Sequence, residues 1–285
     1  MIELEHDLRR VVRGEVRFDT MTRLLYATDA SIYQVEPIGV VLPRDKSDVQ
    51  AVIEVANRYG APVLPRGGGT SLAGQAVNRA IVLDLSPHMN QLLEVNREEQ
   101  WCRVEPGLVQ DELNALVRPQ GLLFGPDTST SNRATLGGMI GNNSAGAHSI
   151  AYGLTLHHVL ELTVLLADSS EVKLSDLAPE ALQAKLKGND LEGQIYREVV
   201  LIVGETRDEI LARYPKIMRR VSGYNLNEFV KDHPVNLARL VVGSEGTLAT
   251  VVEAKLRLVV RPRHTALAVI HDADIQEALE SAQEI

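Results

Sequence analysis

An α+β fold is what this sequence predicts, on three observations. Residues 37–105 alternate short apolar runs with one amphipathic helix. Residues 191–214 carry helical periodicity, and strand-like runs return at 160–174 and 250–260. Two glycine-dense stretches, at 66–75 and 125–153, interrupt this regular chain. Apolar spacing separates helix from strand, and glycine marks where neither continues.

The elements follow in order. Ile2, Leu4, Leu8, Val11 and Val12 share one face, so residues 1–13 read as a helix. Ile38–Leu42 is a strand ending at Pro43. Ser47 is placed to cap a helix over Asp48–Tyr59, with Val49, Val52, Ile53 and Ala56 inward and Gly60 as its stop. Pro62-Val63-Leu64 returns as a strand into the first glycine stretch. Ile81–Leu85, Leu92–Val95 and Trp101–Glu105 are further strands. A helix occupies 107–118. Leu160–Leu166 and Glu171–Leu174 form a hairpin, Leu191–Tyr214 is mostly helical, and Leu240–Val242 and Thr250–Val260 are strands. Thr265–Ile270 reads as a new strand. After it, Asp272 or Asp274 caps a helix with an apolar stripe of Ile275, Ala278, Leu279, Ala282 and Ile285. One strand and one helix cannot cover that stripe, so a further domain is expected to begin here.

Composition narrows the class. The chain has 285 residues, 45% hydrophobic and 24% charged, as a soluble globular protein does. Its net charge of −9 argues against a nucleic-acid partner. No apolar run reaches the ~18 residues of a transmembrane helix. The first residues lack the apolar core of a signal peptide. The single cysteine, Cys102, rules out an internal disulfide and a multi-cysteine metal site, and a cytoplasmic location is expected. His157 and His158 lack a third ligand at metal spacing, so no metal site is expected.

The run Arg66-Gly67-Gly68-Gly69-Thr70-Ser71-Leu72-Ala73-Gly74-Gln75 follows a strand. Glycine lets backbone N–H groups close on an anion. A P-loop is excluded because Gln75 and Ala76 stand where its lysine and hydroxyl residue are needed. A G-x-G-x-x-G fingerprint is excluded because Leu72 takes the last glycine position. A plain tight turn would need fewer glycines. The second stretch, Gly125–Gly153, holds six glycines and seven Ser/Thr, with only Asp127 and Arg133 fully charged. Gly137, Gly138 and Gly141 would admit a ligand or another backbone, and a helix starting here would aim its N–H dipoles outward. Two such stretches in one acidic chain favour a single extended ligand with a diphosphate. His148 closes the second stretch, either against that ligand or in solvent.

Five segments then occur in order: Arg66–Ser71, Gly125–Ser129, Ala134–Met139, Val221–Leu226 and Gly243–Leu248. Over residues 20–262 they resemble the FAD-binding domain of the vanillyl-alcohol oxidase/p-cresol methylhydroxylase superfamily. The resemblance is to its D-lactate dehydrogenase, glycolate oxidase D-subunit and D-2-hydroxyglutarate dehydrogenase branch. It implies two α/β subdomains of the p-cresol methylhydroxylase type with FAD between them: a lead-in at 1–35, subdomains at 36–105 and 106–263, and the start of a truncated cap at 264–285. By the same resemblance, Arg66, Gly67, Gly68, Gly69, Thr70, Ser71 and Gly74 would wrap the pyrophosphate. Pro126, Asp127 and Thr128, with Gly137, Gly138, Gly141, Asn142, Asn143, Ser144, Gly146 and Ala147, would hold the pyrophosphate and line the flavin. Glu245 and Gly246 would lie near the cofactor. Covalent members carry a linking histidine in the first loop; this chain has none, so FAD is expected to be non-covalent.

The implied activity is oxidation of a D-2-hydroxy acid (D-lactate, D-2-hydroxyglutarate or glycolate type) by hydride transfer to flavin. In the resembling enzymes, substrate arginines, the histidine base and metal ligands come from the cap, so no catalytic residue is assigned here. An iron–sulfur domain or subunit is the implied electron acceptor, and the parent enzyme could associate peripherally with a membrane. Three rivals stand beside this reading. A non-catalytic FAD-binding subunit would be flavin-loaded in a stable complex. An NADPH-dependent amino-sugar reductase would bleach its flavin with NADPH, although Gly243–Leu248 argues against it. A P-loop-like nucleotide binder would be colourless.

Overall fold

The computed structural model of the chain describes residues 2–284, and two sheets organise them. The first unit comprises α1 (Ile2–Val11), β1 (Glu15–Arg17), α2 (Thr20–Leu25), β2 (Gly39–Leu42), α3 (Lys46–Tyr59), β3 (Val63–Arg66) and β4 (Ile81–Asp84). Its strands lie in the order β1-β2-β4-β3. β2, β4 and β3 run parallel, and β1 pairs antiparallel with β2. Every residue of β4 is buried, as a central parallel strand covered on both faces requires. Leu4 and Leu8 of α1 pack with Val49, Val52, Ile53 and Ala56 of α3 over Ile81 and Leu83. Asp48, buried in α3, accepts backbone N–H groups of Arg13, Gly14 and Arg44 at 2.9 Å each, tying the α1–β1 link to the sheet.

The second unit comprises β5 (Leu92–Asn96), β6 (Trp101–Val104), α4 (Gln110–Val117), β7 (Leu122–Leu123), α5 (Leu136–Asn142), α6 (Ser149–Tyr152), β8 (Val159–Leu165), β9 (Glu171–Leu174), α7 (Pro179–Leu186), α8 (Leu191–Glu205), α9 (Arg207–Arg213), α10 (Ala238–Val241), β10 (Thr250–Arg257) and β11 (Val259–Val260). Five strands form an antiparallel sheet in the order β5-β6-β10-β8-β9, and β11 pairs separately with β7. The expected hairpin is β8–β9. Leu165 and Val252 reach from this sheet into the first unit's core, so the two units share a seam.

Several expectations need correction. Asp45, not Ser47, caps α3, because its carboxylate accepts the N–H groups of Ser47 and Asp48. β5 and β6 pair into the second sheet, so the sheets divide between β4 and β5 rather than at 105/106. α1 and β1, read as a lead-in, are part of the first unit. Leu240–Val242 is not a strand: Leu240 and Val241 lie in α10, Val242 follows as its C-cap, and the buried Asn236 accepts the Ala238 N–H at 2.9 Å just before the helix. Thr265–Ile270 forms no strand and is exposed. The helix after it is present as α11 (Ile275–Glu284), with Asp274 accepting the N–H groups of Gln276 and Glu277 at 2.8 and 3.0 Å.

Candidate functional site

A cleft of about 390 Å³ runs between the loop after β3 and the segment around α5. Pro65 and Arg66–Ala73 (without Gly74) form one wall. Thr128–Thr130, Ala134, Thr135, Gly137–Asn142, Ser144 and Ala145 form the other. Ser244–Gly246 and Val241 close one end. Arg66 and Glu245 are the only charged side chains in the lining among the described residues.

The first wall presents backbone. Among the described residues, the N–H groups of Gly68, Gly69, Thr70 and Ser71 donate to no protein acceptor. Gly69 holds φ +64°, where a side chain would be strained. The two walls touch: a Cβ at Gly67 would overlap the Thr135 side chain, and one at Gly68 the Arg133 carbonyl. Arg66 does not offer its guanidinium to the cleft as a free cation. Nη1 donates to the carbonyls of Tyr26 (3.1 Å) and Ala76 (2.8 Å), and Nη2 to that of Thr28 (2.8 Å).

The second wall corrects the helix-dipole expectation. The first N–H groups of α5 are already taken. Leu136 donates to Leu108 O at 2.8 Å, Gly137 to Pro106 O at 2.7 Å, and Gly138 to the capping Thr135 hydroxyl at 3.3 Å. A Cβ at Gly137 would stand 2.7 Å from Pro106, so this glycine serves close packing of backbone. Gly141 differs: a Cβ there would meet only Glu245, at 3.8 Å or more.

The C-terminal end of α5 positions Glu245. Gly243 N donates to Ile140 O at 2.9 Å and Glu245 N to Gly141 O at 3.0 Å. Asn143 ends α5 in the left-handed region at φ 53°, and Glu245 takes the same φ. Asn142 Nδ2 donates to Glu245 Oε1 at 3.0 Å. Burial pushes the Glu245 carboxyl above its usual range, against the hydrogen bonds from Asn142 and Gln75. Asn225, from the fourth segment, holds the turn by donating to Val242 O at 2.7 Å. The Ser244 hydroxyl is buried without a partner among the described residues.

Six expected site residues lie outside the lining. Gly74 turns at φ +82° against Tyr33. Pro126 O accepts from the Gln110 amide, whose Oε1 takes the Thr128 hydroxyl at 3.2 Å. Asp127 accepts the His148 backbone N–H at 3.1 Å and contacts its ring Nδ1 at 2.8 Å; Gly146 leaves the room this needs. Asn143 is buried and takes the Leu156 N–H at 2.9 Å. Ala147 follows Gly146, exposed. The sequence reading missed Gln110 and gave no individual role to Thr135 or Ser244, which lie in its third and fifth segments; a single polar group carries no periodic signal.

Cys102 is buried in β6, and burial pushes its thiol up to about 12. His158 is buried between the carbonyls of Tyr152 (2.8 Å) and Arg257 (3.1 Å). Among the described residues, no cluster of His, Cys, Asp and Glu could hold a metal.

Residues 37–175 match the family described as FAD binding domain. This segment is an FAD-binding domain. The chain is 39% identical over 274 residues to D-2-hydroxyglutarate dehydrogenase of Escherichia coli K12, covering 94% of this chain and 27% of that protein. It is 30% identical over 270 residues to glycolate oxidase subunit GlcD of Bacillus subtilis, covering 92% and 47%. The chain thus spans about a quarter to a half of these relatives' lengths. An alkyldihydroxyacetonephosphate synthase structure superposes with a TM-score of 0.66 at 18% identity, over 93% of this chain and 41% of that one, which shows the fold. The cleft fits the cofactor of such a domain. Unpartnered N–H groups suit a diphosphate, the open face at Gly141 admits close approach, and the orphaned Ser244 hydroxyl awaits a partner.

Proposed function

We propose that this cleft holds FAD non-covalently, and that the domain serves an enzyme oxidising a D-2-hydroxy acid of the D-2-hydroxyglutarate type. The carrying observation is the row of unpartnered N–H groups at Gly68–Ser71 opposite the open backbone of Gly141. Gly68, Gly69, Thr70 and Ser71 would hold the diphosphate by backbone donors. Gly138, Gly141, Asn142 and Ser144 would form the opposing surface. Glu245 and Ser244 would meet hydroxyl or N–H groups, because a carboxylate beside the diphosphate would repel it. When bound, FAD supplies two-electron oxidation of a CH–OH carbon.

The 39% identity to a D-2-hydroxyglutarate dehydrogenase, across 94% of this chain, supports this substrate class. Among the described residues, the cleft lining offers no free cation to a substrate carboxylate, since the Arg66 guanidinium is engaged. Carboxylate recognition is therefore assigned to the part of the relatives that this chain does not span. An iron–sulfur domain or subunit is proposed as electron acceptor, and the cytoplasm as location. Among the described residues no helix is long and apolar enough to cross a membrane.

The visible spectrum before and after acid precipitation tests the cofactor reading. A yellow protein that releases all its flavin into the supernatant is expected. Folded protein that takes up no FAD on reconstitution would refute it.

A further inference from the structure

We propose that Arg66 is a positioning residue rather than an anion ligand, and that with Tyr26 and Asp84 it fixes the glycine loop in its cofactor-binding shape. This rests on the FAD reading above. The guanidinium binds three carbonyls inside the first unit: Tyr26, Thr28 and Ala76. Ala76 lies beyond the glycines, so one side chain ties both ends of the loop together. It also ties the loop to the strap at 26–30, where Ala30 N donates to Gly69 O at 3.0 Å. Gly69 folds back over the guanidinium: a Cβ there would come 2.7 Å from Arg66 Nη2.

A second layer holds Arg66 itself. Its guanidinium carbon lies 5.2 Å from the centre of the Tyr26 ring. The Tyr26 hydroxyl donates to Asp84 Oδ2 at 2.5 Å. Asp84 is buried, and its other oxygen accepts the Ser86 N–H at 3.0 Å and hydroxyl at 2.7 Å. Asp84 on β4 is also the register partner of Arg66 on β3. Neither Tyr26 nor Asp84 lines the cleft. An arginine serving a diphosphate would turn its fork outward in bidentate contact; this fork is turned into the protein. Recognition of the anion then falls to the backbone N–H groups that the fork holds in place.

FAD titrations of the wild type, Arg66→Lys, Arg66→Met, Tyr26→Phe and the Arg66→Met/Tyr26→Phe double variant, at low and high salt, test this. Urea midpoints of the cofactor-free proteins accompany them. Lysine keeps the charge but cannot span three carbonyls. Both Arg66 variants should therefore lose FAD affinity to the same extent, on the order of 10-fold. Tyr26→Phe should lose about 3-fold or more, and the double variant should bind like Arg66→Met alone, as coupled residues do. The salt dependence should match in wild type and Arg66→Met. A Lys variant that binds like wild type while the Met variant is weak would overturn the proposal, because charge alone would then suffice. So would Tyr26→Phe binding at full strength, and this mild change decides the matter if the Arg66 variants fail to fold. A folded wild type that binds no FAD would instead remove the cofactor reading beneath it.

Discussion

Replacing Gly141 with alanine should move stability and cofactor affinity in opposite directions. Gly141 lies in α5 and lines the cleft. A methyl group there would meet Glu245 Cα at 3.8 Å and Oε2 at 4.0 Å, both ordinary contacts, so the cofactor-free protein accepts it. Alanine also lowers the backbone entropy lost in forming a helix, by about 0.5–1 kcal/mol. At this chain length that corresponds to a rise in Tm of roughly 1–4 °C. The same methyl would occupy the surface against which FAD is proposed to pack. Overpacking a fitted contact costs about 1–3 kcal/mol, or roughly 5- to 150-fold in Kd. Thermal melts of apoprotein and a fluorescence titration with FAD read the two effects separately. Gly68→Ala is the contrast: its Cβ would overlap the Arg133 carbonyl, so it should lower both stability and affinity. Wild-type affinity in Gly141→Ala would show that the cofactor does not approach α5, and a fall in its apoprotein Tm would show that the space is not there.

Three further outcomes are expected. Cys102 should not react with Ellman's reagent at pH 8 in the native protein and should react fully in denaturant, since burial both covers the thiol and holds it protonated; native labelling would contradict this. Glu245→Gln should stabilise the apoprotein near pH 7, with the gain vanishing as pH falls below the ordinary carboxyl range. The folded-state pKa of Glu245 is raised, so the fold favours its neutral form and loses that advantage as pH rises; melts across pH 4–8 showing an equal or opposite difference would refute it. Gln110→Leu should lower apoprotein stability by about 1–3 kcal/mol, because Pro126 O and the Thr128 hydroxyl lose their partner; an unchanged urea midpoint would show that water replaces the amide.

The sequence made the larger elements legible where burial imposes a pattern. Ile81–Leu85 reads as a strand because a central parallel strand is apolar on both faces, broken here only by Asp84, and α3 reads as a helix because its inward face repeats at 3.6 residues. Leu240–Val242 misleads for the same reason in reverse. Three apolar residues carry no period, and Leu240 and Val241 are the last residues of the short α10, which follows a local turn where Asn236 Oδ1 accepts the Ala238 N–H. Thr265–Ile270 has strand-like composition, but a strand exists only with a hydrogen-bonding neighbour, and the described residues supply none. The glycines of the cleft were legible as a group and not by role. Nothing in Gly137-Gly138-Met139-Ile140-Gly141 says that the first glycine packs on Pro106 while the last faces open space.

That division of roles explains how an acidic chain can build a site for an anionic cofactor. A cationic pocket is unnecessary when the donors are peptide N–H groups held rigidly, because their dipoles need no counter-charge and no side-chain ordering. The requirement moves instead to whatever fixes the loop. In this fold it falls on Arg66 in one wall, on Thr135 in the other, and on Gln110 behind it. The helix that was expected to offer its N-terminus has its first N–H groups closed by Pro106, Leu108 and Thr135, which makes α5 a rigid plate rather than an anion ligand. Affinity in such a site would depend on the side chains that hold its backbone donors in place, so substitutions outside the lining, as at Tyr26, should weaken it too.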